Sequence, residues 1–536
     1  MVNPSTRQAR AVVSAFAKHG VRHVVIAPGS RNGALSIALA QAKDSIELHV
    51  RIDERSAAFT ALGIAKRTNR PVAVICTSGT AATHFGAAVF EAHEAGVPLI
   101  VITTDRPPAV RGRGANQTIM QVDLFEAATR DAWDLPVAAE HDDLYWELAI
   151  AGAISVSLGD EFSASGPVHL NMPFTEPLVP DVEDDASWVT HIEIGQLPSV
   201  EPGEDIELVL LLEDMKITTQ SPRGVIVISD PNSAQEAIKL AKYLRWPVLA
   251  EPGSMARVGD VGIQHYARLL SDIDFVTAHE PDVVITAGRF GLSRAVNTFV
   301  QNANGHIAVG RYPLDADPFE TAAHHIAHIP MPLGVTPATE EWLESWRSSD
   351  ADIDELETQD FVSRNVVRTV IEQADSNDLI WIAASMAIRH ADDVAPASDD
   401  APMMLVNRGT NGIDGLIASA GGAALAHPQG RTFLIIGDVA FLHDLSSLAI
   451  PMLEKKPPLT MIVLNNRGGA IFKTLEQGDA RFDDVFDRVY GTHHDFDISA
   501  TAAALGYPAI NVDNIADLKK ELALHPRVIV ASLYNN

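Results

Sequence analysis

The stretch "IIGDVAFLHDLSSLAIPMLEKKPPLTMIVLNNRGG" occupies residues 435–469. Two apolar runs ending in "IIGD" and "VLNN" flank a helix-compatible segment, the pattern of a strand, a crossover and a parallel strand. Asp438 directly follows the first run, and Asn466 closes the second 28 residues later. Neighbouring parallel strands bring both side chains to one carboxyl edge, where sheets of this kind hold ligands. The Asp438 carboxylate, the Asn466 amide oxygen and the Gly468 carbonyl are hard oxygen donors. They suit an octahedral Mg²⁺, or Mn²⁺, whose other positions go to phosphate oxygens and water. Backbone N–H groups of the glycine-containing turns, around Gly437 and Val439 and around Gly469, Ala470 and Ile471, would cradle a diphosphate. The competing reading has Asp438 as a helix cap and "NNRGG" as a plain turn.

Outward from this stretch, the same alternation recurs along the chain. In the first unit Ala9, Val12, Val13 and Phe16 fall at helical spacing, and Gly20 closes that helix. "HVVIAPGS", "IELHVRI", "PVAVICTS" and "PLIVITTD" then read as strands separated by Ala-rich helices, and the unit ends near "GPVHLNMPF". A proline- and acid-rich stretch, residues 175–207, reads as a linker. "GVIVISDP", "WPVLAEPGS", "PDVVITAGR" and "GHIAVGR" supply a second unit, which ends around the polar helix "TEEWLESWRSSDADIDELE". "DLIWIAAS", "MMLVNRG", "TFLIIGD", "LTMIVLNN" and "RVIVASL" supply a third. The expectation is an α/β chain of three doubly wound, mostly parallel-sheet domains, residues 1–180, 181–345 and 346–536. Units one and three echo each other: Asp105 lies 26 residues after Gly79, and Asn465 lies 28 after Gly437.

Composition bounds the partners. A chain of 536 residues exceeds one hydrophobic core, and 46% apolar with 21% charged residues is ordinary for a folded protein. A formal charge of −30 repels phosphate backbones and anionic lipid, so nucleic acid and membranes are excluded as expected partners. The single cysteine, Cys76, sits in an apolar run and reads as a buried structural thiol. The start lacks a signal-peptide core and no apolar run is long enough to span a bilayer, so the expected location is the cytoplasm.

The Asp438 and Asn466 pair resembles the "GDG…NN" signature of thiamine-diphosphate (ThDP) enzymes, with Val439 in place of the third-position glycine. The resemblance implies pyrimidine-binding, central and diphosphate-binding domains in chain order. It also implies a glutamate from the first domain of a partner subunit at the other end of the cofactor. Glu54, in "RIDERSAAFTALGIAK" (residues 51–66), matches that position. Its role would be to hydrogen-bond the aminopyrimidine ring and promote the imino tautomer that deprotonates the thiazolium carbon. An apolar neighbourhood favours the neutral acid this requires. The plainer reading makes "DER" first-turn charges of a helix.

Arginines discriminate among ThDP enzymes. "APGSRNGALSIAL", "TTDRPPAVRGRGANQT", "SMAIRHADD" and "NRGTNGIDGL" place Arg31, Arg106, Arg389 and Arg408 at or just past strand ends or helix starts. Four converging cations in an acidic protein suit a multiply anionic substrate, since the guanidinium fork pairs bidentately with carboxylates. With "DER", "TSGTA" and "NNRGGAIF", these segments resemble the 2-succinyl-5-enolpyruvyl-6-hydroxy-3-cyclohexene-1-carboxylate (SEPHCHC) synthase family of menaquinone biosynthesis. The resemblance covers most of units one and three. It implies decarboxylation of 2-oxoglutarate and addition of the succinyl unit to isochorismate, each substrate carrying two carboxylates. It assigns catalytic roles to Glu54, Ser30, Arg31, Gln117, Arg389 and Arg408. Arg106 and Asn116 join Ser30, Arg31, Gln117, Arg389 and Arg408 in the substrate pocket, with Ile471, Phe472 and Leu475 as its apolar wall. Ser385 and Ile413 would contact the cofactor. The assembly implied is a homodimer or homotetramer with sites at subunit interfaces.

One departure is Ser293-Arg294 in "RFGLSRAV", where some relatives carry Lys-Arg; the serine removes a cation, so any anion contact from the middle unit would rest on Arg294 alone. His443 reads as helix surface rather than a proton carrier. Two alternatives are an acetolactate-synthase-like carboligase, with smaller substrates and a flavin in the middle unit, and a non-catalytic diphosphate-binding regulatory protein.

Overall fold

The computed structural model describes residues 2–160, 163–182, 186–199, 206–310, 317–353 and 360–533. Three sheets account for the strands, and every pairing within them is parallel. The first contains β1 (His23–Ile26), β2 (Glu47–Val50), β3 (Val72–Cys76), β4 (Leu99–Asp105), β5 (Ala132–Asp134) and β6 (Val168–Pro173). The middle sheet contains β7 (Gly224–Ile228), β8 (Val248–Ala250), β9 (Val283–Ala287), β10 (His306–Val309) and β11 (His324–Ile326). The third contains β12 (Leu379–Ile382), β13 (Met403–Val406), β14 (Thr432–Gly437), β15 (Leu459–Asn465), β16 (Ala509–Val512) and β17 (Val528–Ser532).

The internal echo is exact in topology. The first sheet runs β2-β1-β3-β4-β6-β5 and the third runs β13-β12-β14-β15-β17-β16, the same order read from the same relative strands. The middle sheet, β11-β10-β9-β7-β8, differs. Central strands such as β3, β4 and β15 are buried at every residue, because helices cover both faces. Cys76 closes β3 fully buried, and burial pushes its thiol well above the usual range, which makes it a structural residue. Described parts of the 175–207 stretch lie against the first unit: Trp188 donates to Gln41 at 2.8 Å, and the Gly195 N–H donates to the Ala17 carbonyl at 3.1 Å. Among the described residues no helix is long and apolar enough to cross a membrane.

The first and third units are joined by a close helix crossing. Helix Glu54–Thr68 packs on helix Leu416–Leu425 with small residues at the contact. A Cβ on Gly63 would lie 1.9 Å from the Ser419 carbonyl oxygen, and one on Gly422 would lie 2.1 Å from that of Thr60. These backbones leave no room for a methyl group. At the entrance to the first helix, Arg55 pairs with the buried Asp444 at 3.6 Å and Asp53 accepts from Ser446 at 2.7 Å. Gly63→Ala therefore forces the helices apart and is expected to cost about 1–3 kcal/mol. A thermal melt that coincides with the parent's would contradict this crossing.

Candidate active site

Register explains why the "GD" and "NN" motifs meet. β14 and β15 pair from Thr432 opposite Leu459 to Gly437 opposite Leu464, so Asp438 and Asn466 leave the sheet at one carboxyl edge. Asp438 is buried; its Oδ1 accepts from the Val439 N–H at 2.8 Å and its Oδ2 from the Gly468 N–H at 3.0 Å. Burial raises its carboxyl above the ordinary range despite these bonds and the nearby His494. Asp438 is the first residue of helix Asp438–His443, whose cap position is Gly437 with no side-chain cap bond, so the expected helix-cap role of Asp438 is not what the structure shows.

The turn "NNRGG" is locked by glycine. Gly468 has φ +154°, and a Cβ there would lie 2.3 Å from the Gly491 carbonyl oxygen. The Gly469 N–H donates to that same carbonyl at 2.7 Å. The strap holding the turn also brings in His494, whose Nε2 sits 3.2 Å from Asp438 Oδ2. His494 carried no signal in sequence, because only the fold of "GTHHDF" onto the turn places it there.

A cavity of about 600 Å³ opens at this edge, within the size common for small-molecule sites, about 300–1,000 Å³. Its wall takes in Gly437, Asp438, Val439, Asn466, Gly468 and Gly469 from the two motifs, followed by Ala470, Ile471, Phe472 and Leu475. Ser385, Ile413, Arg389 and Arg408 are also part of the third unit's share. Ser385 opens helix Met386–Val394 at φ +72°, a left-handed backbone that a serine adopts only at a cost of about 1–3 kcal/mol. Ile471 and Phe472 are half-buried and stand outside the third unit's buried core. They face the cavity rather than filling the interior.

The cavity chemistry fits a metal-bound diphosphate. Asn466 Oδ1 is buried and accepts no hydrogen bond, beside the Asp438 carboxylate on the same edge. A buried amide oxygen without a donor is costly unless a cation or ligand completes it. A Cβ at Gly437 would meet nothing within 4 Å, so open space lies directly in front of that strand end. Asp438, Asn466 and the Gly468 carbonyl can supply metal ligands, with turn N–H groups facing phosphate.

The middle unit also reaches the cavity, but through Arg289, Phe290 and Gly291. Arg294, on which any anion contact from this unit would have rested, is exposed at the start of helix Arg294–Gln301, which Ser293 caps, and does not line the cavity. Arg289 directly follows β9 and its Ala287-Gly288 turn, the same strand-end rule that located the other arginines. It forms an ion pair with Glu94. Glu251, just past β8, is nearly fully buried and was not anticipated. Its Oε1 accepts from the Gly291 and Leu292 N–H groups at 2.8 and 2.9 Å, and its Oε2 lies 3.7 Å from Arg408 Nη2. Burial raises its carboxyl, with Arg408 pulling the other way. Burial and then neighbouring Arg408 lower Arg389, whose Nη1 donates to the Ser385 carbonyl at 2.7 Å.

The first unit's expected residues gather elsewhere, at the carboxyl edge of their own sheet. The Arg31 N–H donates to Thr77 at 3.3 Å and its Nη1 to the Phe174 carbonyl at 2.8 Å. Gln117 Nε2 donates to the Ser78 carbonyl at 2.9 Å, and Ser78 Oγ donates to the Gln117 carbonyl at 3.0 Å. Ser30, Asn116 and Gln117 are exposed and Arg106 is half-buried beside Asp105. Glu54 is half-buried at the first position of its helix. Asp53 caps that helix by accepting from the Arg55 and Ser56 N–H groups, at 2.9 and 3.3 Å. The Glu54 carboxylate itself makes no hydrogen bond or ion pair among the described residues. None of Glu54, Ser30, Arg31, Arg106, Asn116 and Gln117 lines the cavity of its own chain. His443 is exposed, and its carbonyl accepts from Arg55.

Comparison with known proteins adds the chemistry. A family model described as "Thiamine pyrophosphate enzyme, N-terminal TPP binding domain" matches residues 6–126, and its C-terminal TPP binding counterpart matches residues 397–526. These matches cover the first sheet's leading strands and the Asp438 motif. A Saccharopolyspora erythraea protein named 2-succinyl-5-enolpyruvyl-6-hydroxy-3-cyclohexene-1-carboxylate synthase is 38% identical over 94% of this chain and 91% of its own length. Proteins of the same name from Thermobifida fusca and a Nocardioides species are 38% and 36% identical, each over 97% of the chain and over 94% and 93% of their own lengths. With two sheets of one topology and the diphosphate motif at a strand edge, the chain belongs to the SEPHCHC synthase family of thiamine-diphosphate-dependent enzymes.

Proposed function

We propose that this chain decarboxylates 2-oxoglutarate and transfers the succinyl unit to isochorismate, the step of menaquinone biosynthesis that yields the product its relatives are named for. The observation that carries the proposal is one cavity combining Asp438, Asn466 and Gly468 with the guanidinium groups of Arg389 and Arg408. An acetolactate-synthase-like reaction on small monocarboxylic substrates would leave those cations without work.

Bound thiamine diphosphate supplies the nucleophilic carbon and the electron sink that let a 2-oxo acid lose CO₂. Asp438, Asn466 and the Gly468 carbonyl would hold Mg²⁺, or Mn²⁺ in its place, which would neutralise diphosphate charge. N–H groups near Gly437 and Val439, and near Gly469 and Ala470, neutralise the remaining phosphate charge. Arg389 and Arg408 orient substrate carboxylates, and Ile471, Phe472 and Leu475 exclude water from the reacting carbon. Ser385 and Ile413 shape the cofactor's seat.

The same proposal divides the chain into a pyrimidine-binding domain (1–180), a central domain (181–345) and a diphosphate-binding domain (346–536), and it completes the site with a second copy. Glu54, its carboxyl turned toward the pyrimidine ring, would enter from the partner of a homodimer, or of a dimer within a homotetramer. Ser30, Arg31, Arg106, Asn116 and Gln117 would follow from the same edge. Its support is the identical strand order of sheets one and three and the unengaged Glu54 carboxylate. A cytoplasmic location goes with this reading, since its substrates are soluble metabolites.

Purified protein with ThDP and Mg²⁺ should release CO₂ from 2-oxoglutarate and consume isochorismate with it; turnover of pyruvate with 2-oxoglutarate inert would refute the assignment. Glu251 should act through Arg408. Glu251→Gln keeps an acceptor for Gly291 and Leu292 but removes the charge beside Arg408. It should raise the KM for the dicarboxylic 2-oxo acid about tenfold, equivalent to about 1.4 kcal/mol, with kcat within about twofold. An unchanged KM, or a fall confined to kcat, would contradict that positioning role.

A further inference from the structure

A second cluster of ligating side chains lies at the opposite end of the first sheet from the catalytic edge. His23 opens β1 and Glu47 opens β2; the two are register partners, and His49 follows two residues later on the same face of β2. One ligating atom from each of the three falls within 4.8 Å of the others. His23 Nδ1 is 3.3 Å from His49 Nε2, Glu47 Oε2 is 3.6 Å from His23 Nδ1, and Glu47 Oε1 is 3.9 Å from His49 Nε2. Ligands bound at about 2.0–2.1 Å in a tetrahedron stand about 3.3–3.4 Å apart. The two imidazoles already hold that separation, and a small rotation of the exposed Glu47 side chain brings in the third donor.

We propose that His23, Glu47 and His49 form a binding site for a divalent transition-metal ion of the Zn²⁺ class, separate from the ThDP-bound metal. Two nitrogens and one carboxylate favour Zn²⁺ and its neighbours over Mg²⁺, which demands oxygen ligands in an octahedron. The imidazoles are ready as ligands because burial keeps both neutral. Burial, helped by His23, Arg51 and Lys455, holds His49 at about 3, and burial also lowers His23. Their side chains are 5% and 19% exposed against 53% for Glu47, so the cluster opens to water on the Glu47 side, where the fourth ligand would enter. On binding, the hydrogen shared between Nδ1 of His23 and Nε2 of His49 moves to the far nitrogen of whichever ring carried it, and both lone pairs turn to the metal. No net proton or electron is exchanged.

Three cations surround the cluster. Arg51 is ion-paired with Glu454 at 3.7 Å, Arg70 donates to the Gly20 carbonyl at 3.1 Å, and Lys455 acts on His49 from the third unit. Glu47 and Glu454 offset two of these charges. The residual charge limits the affinity below that of closed structural zinc sites.

The test uses the holoenzyme saturated with ThDP and Mg²⁺, equilibrated with Zn²⁺, with bound metals counted by mass spectrometry. One Zn²⁺ per chain in addition to Mg²⁺ is expected, with affinity falling at least about tenfold in His23→Ala and in Glu47→Gln. Glu47 is exposed, so its replacement keeps the readout available if the His23 variant does not fold. Zn²⁺ should also raise the melting temperature of the parent and not of Glu47→Gln. Zn²⁺ binding that is equal in parent and variants, or no Zn²⁺ beyond the Mg²⁺ equivalent, would overturn the site.

Discussion

The pairing of β14 with β15 is the constraint on which the rest depends. Because Gly437 lies opposite Leu464, the chain emerges from two adjacent strands with a carboxylate and an amide side by side. A slip of one residue would send one of these side chains to the other face of the sheet. Everything else at that edge serves the same geometry. The glycines of the "RGG" turn permit the Gly491 carbonyl to approach, and that approach folds the 491–494 strap, with His494, over Asp438. The result is a concentration of oxygen donors at one end of the cavity and cations elsewhere on its wall. An otherwise strongly acidic protein thereby has a local place for anions.

Duplication of the sheet explains how a second component of the site can exist without lying in the same cavity. Sheets one and three have the same strand order, and each gathers its functional loops at its carboxyl edge. One edge carries Asp438 and Asn466, and the other carries Glu54 beside the interlocked "GSR", "TSGT" and "GANQ" loops. Within a chain the units are clamped by the glycine-lined crossing of helices Glu54–Thr68 and Leu416–Leu425, and the neighbours of Glu54, Asp53 and Arg55, hold the helix entrance to Ser446 and Asp444 of the third unit, away from the cavity wall. The middle unit adds a third contact through Glu251, which ties its 289–292 loop to Arg408.

The fold was largely legible in sequence because buried parallel strands are continuous apolar runs. β3, β4, β14 and β15 could be read directly. Of the strands left unread, β5, β11 and β16 are sheet edges, short and partly exposed, and lack that pattern, whereas β6 is internal and fully buried but its run is broken by His169 and Asn171, and in sequence it reads only as the end of the first unit. At the site, the meeting of Asp438 and Asn466 at one sheet edge was legible because each follows one of two adjacent parallel strands. Arg289 obeyed the same strand-end rule and was passed over for Arg294, five residues further on. Glu251 and His494 had no comparable signal. Their significance comes from long-range contacts, with Arg408 and Asp438 respectively, that no local spacing encodes.

The central proposition is that Glu54 of one chain completes the cavity built around Asp438 of another. The direct measurement mixes two separately inactive variants, Glu54→Gln and Asp438→Asn, after dissociation and reassociation. If the site is shared, each hybrid dimer contains one intact site, and random reassembly restores about a quarter of the parent's turnover. If both groups act within one chain, hybrids stay as inactive as the parent variants, and that result would contradict the account.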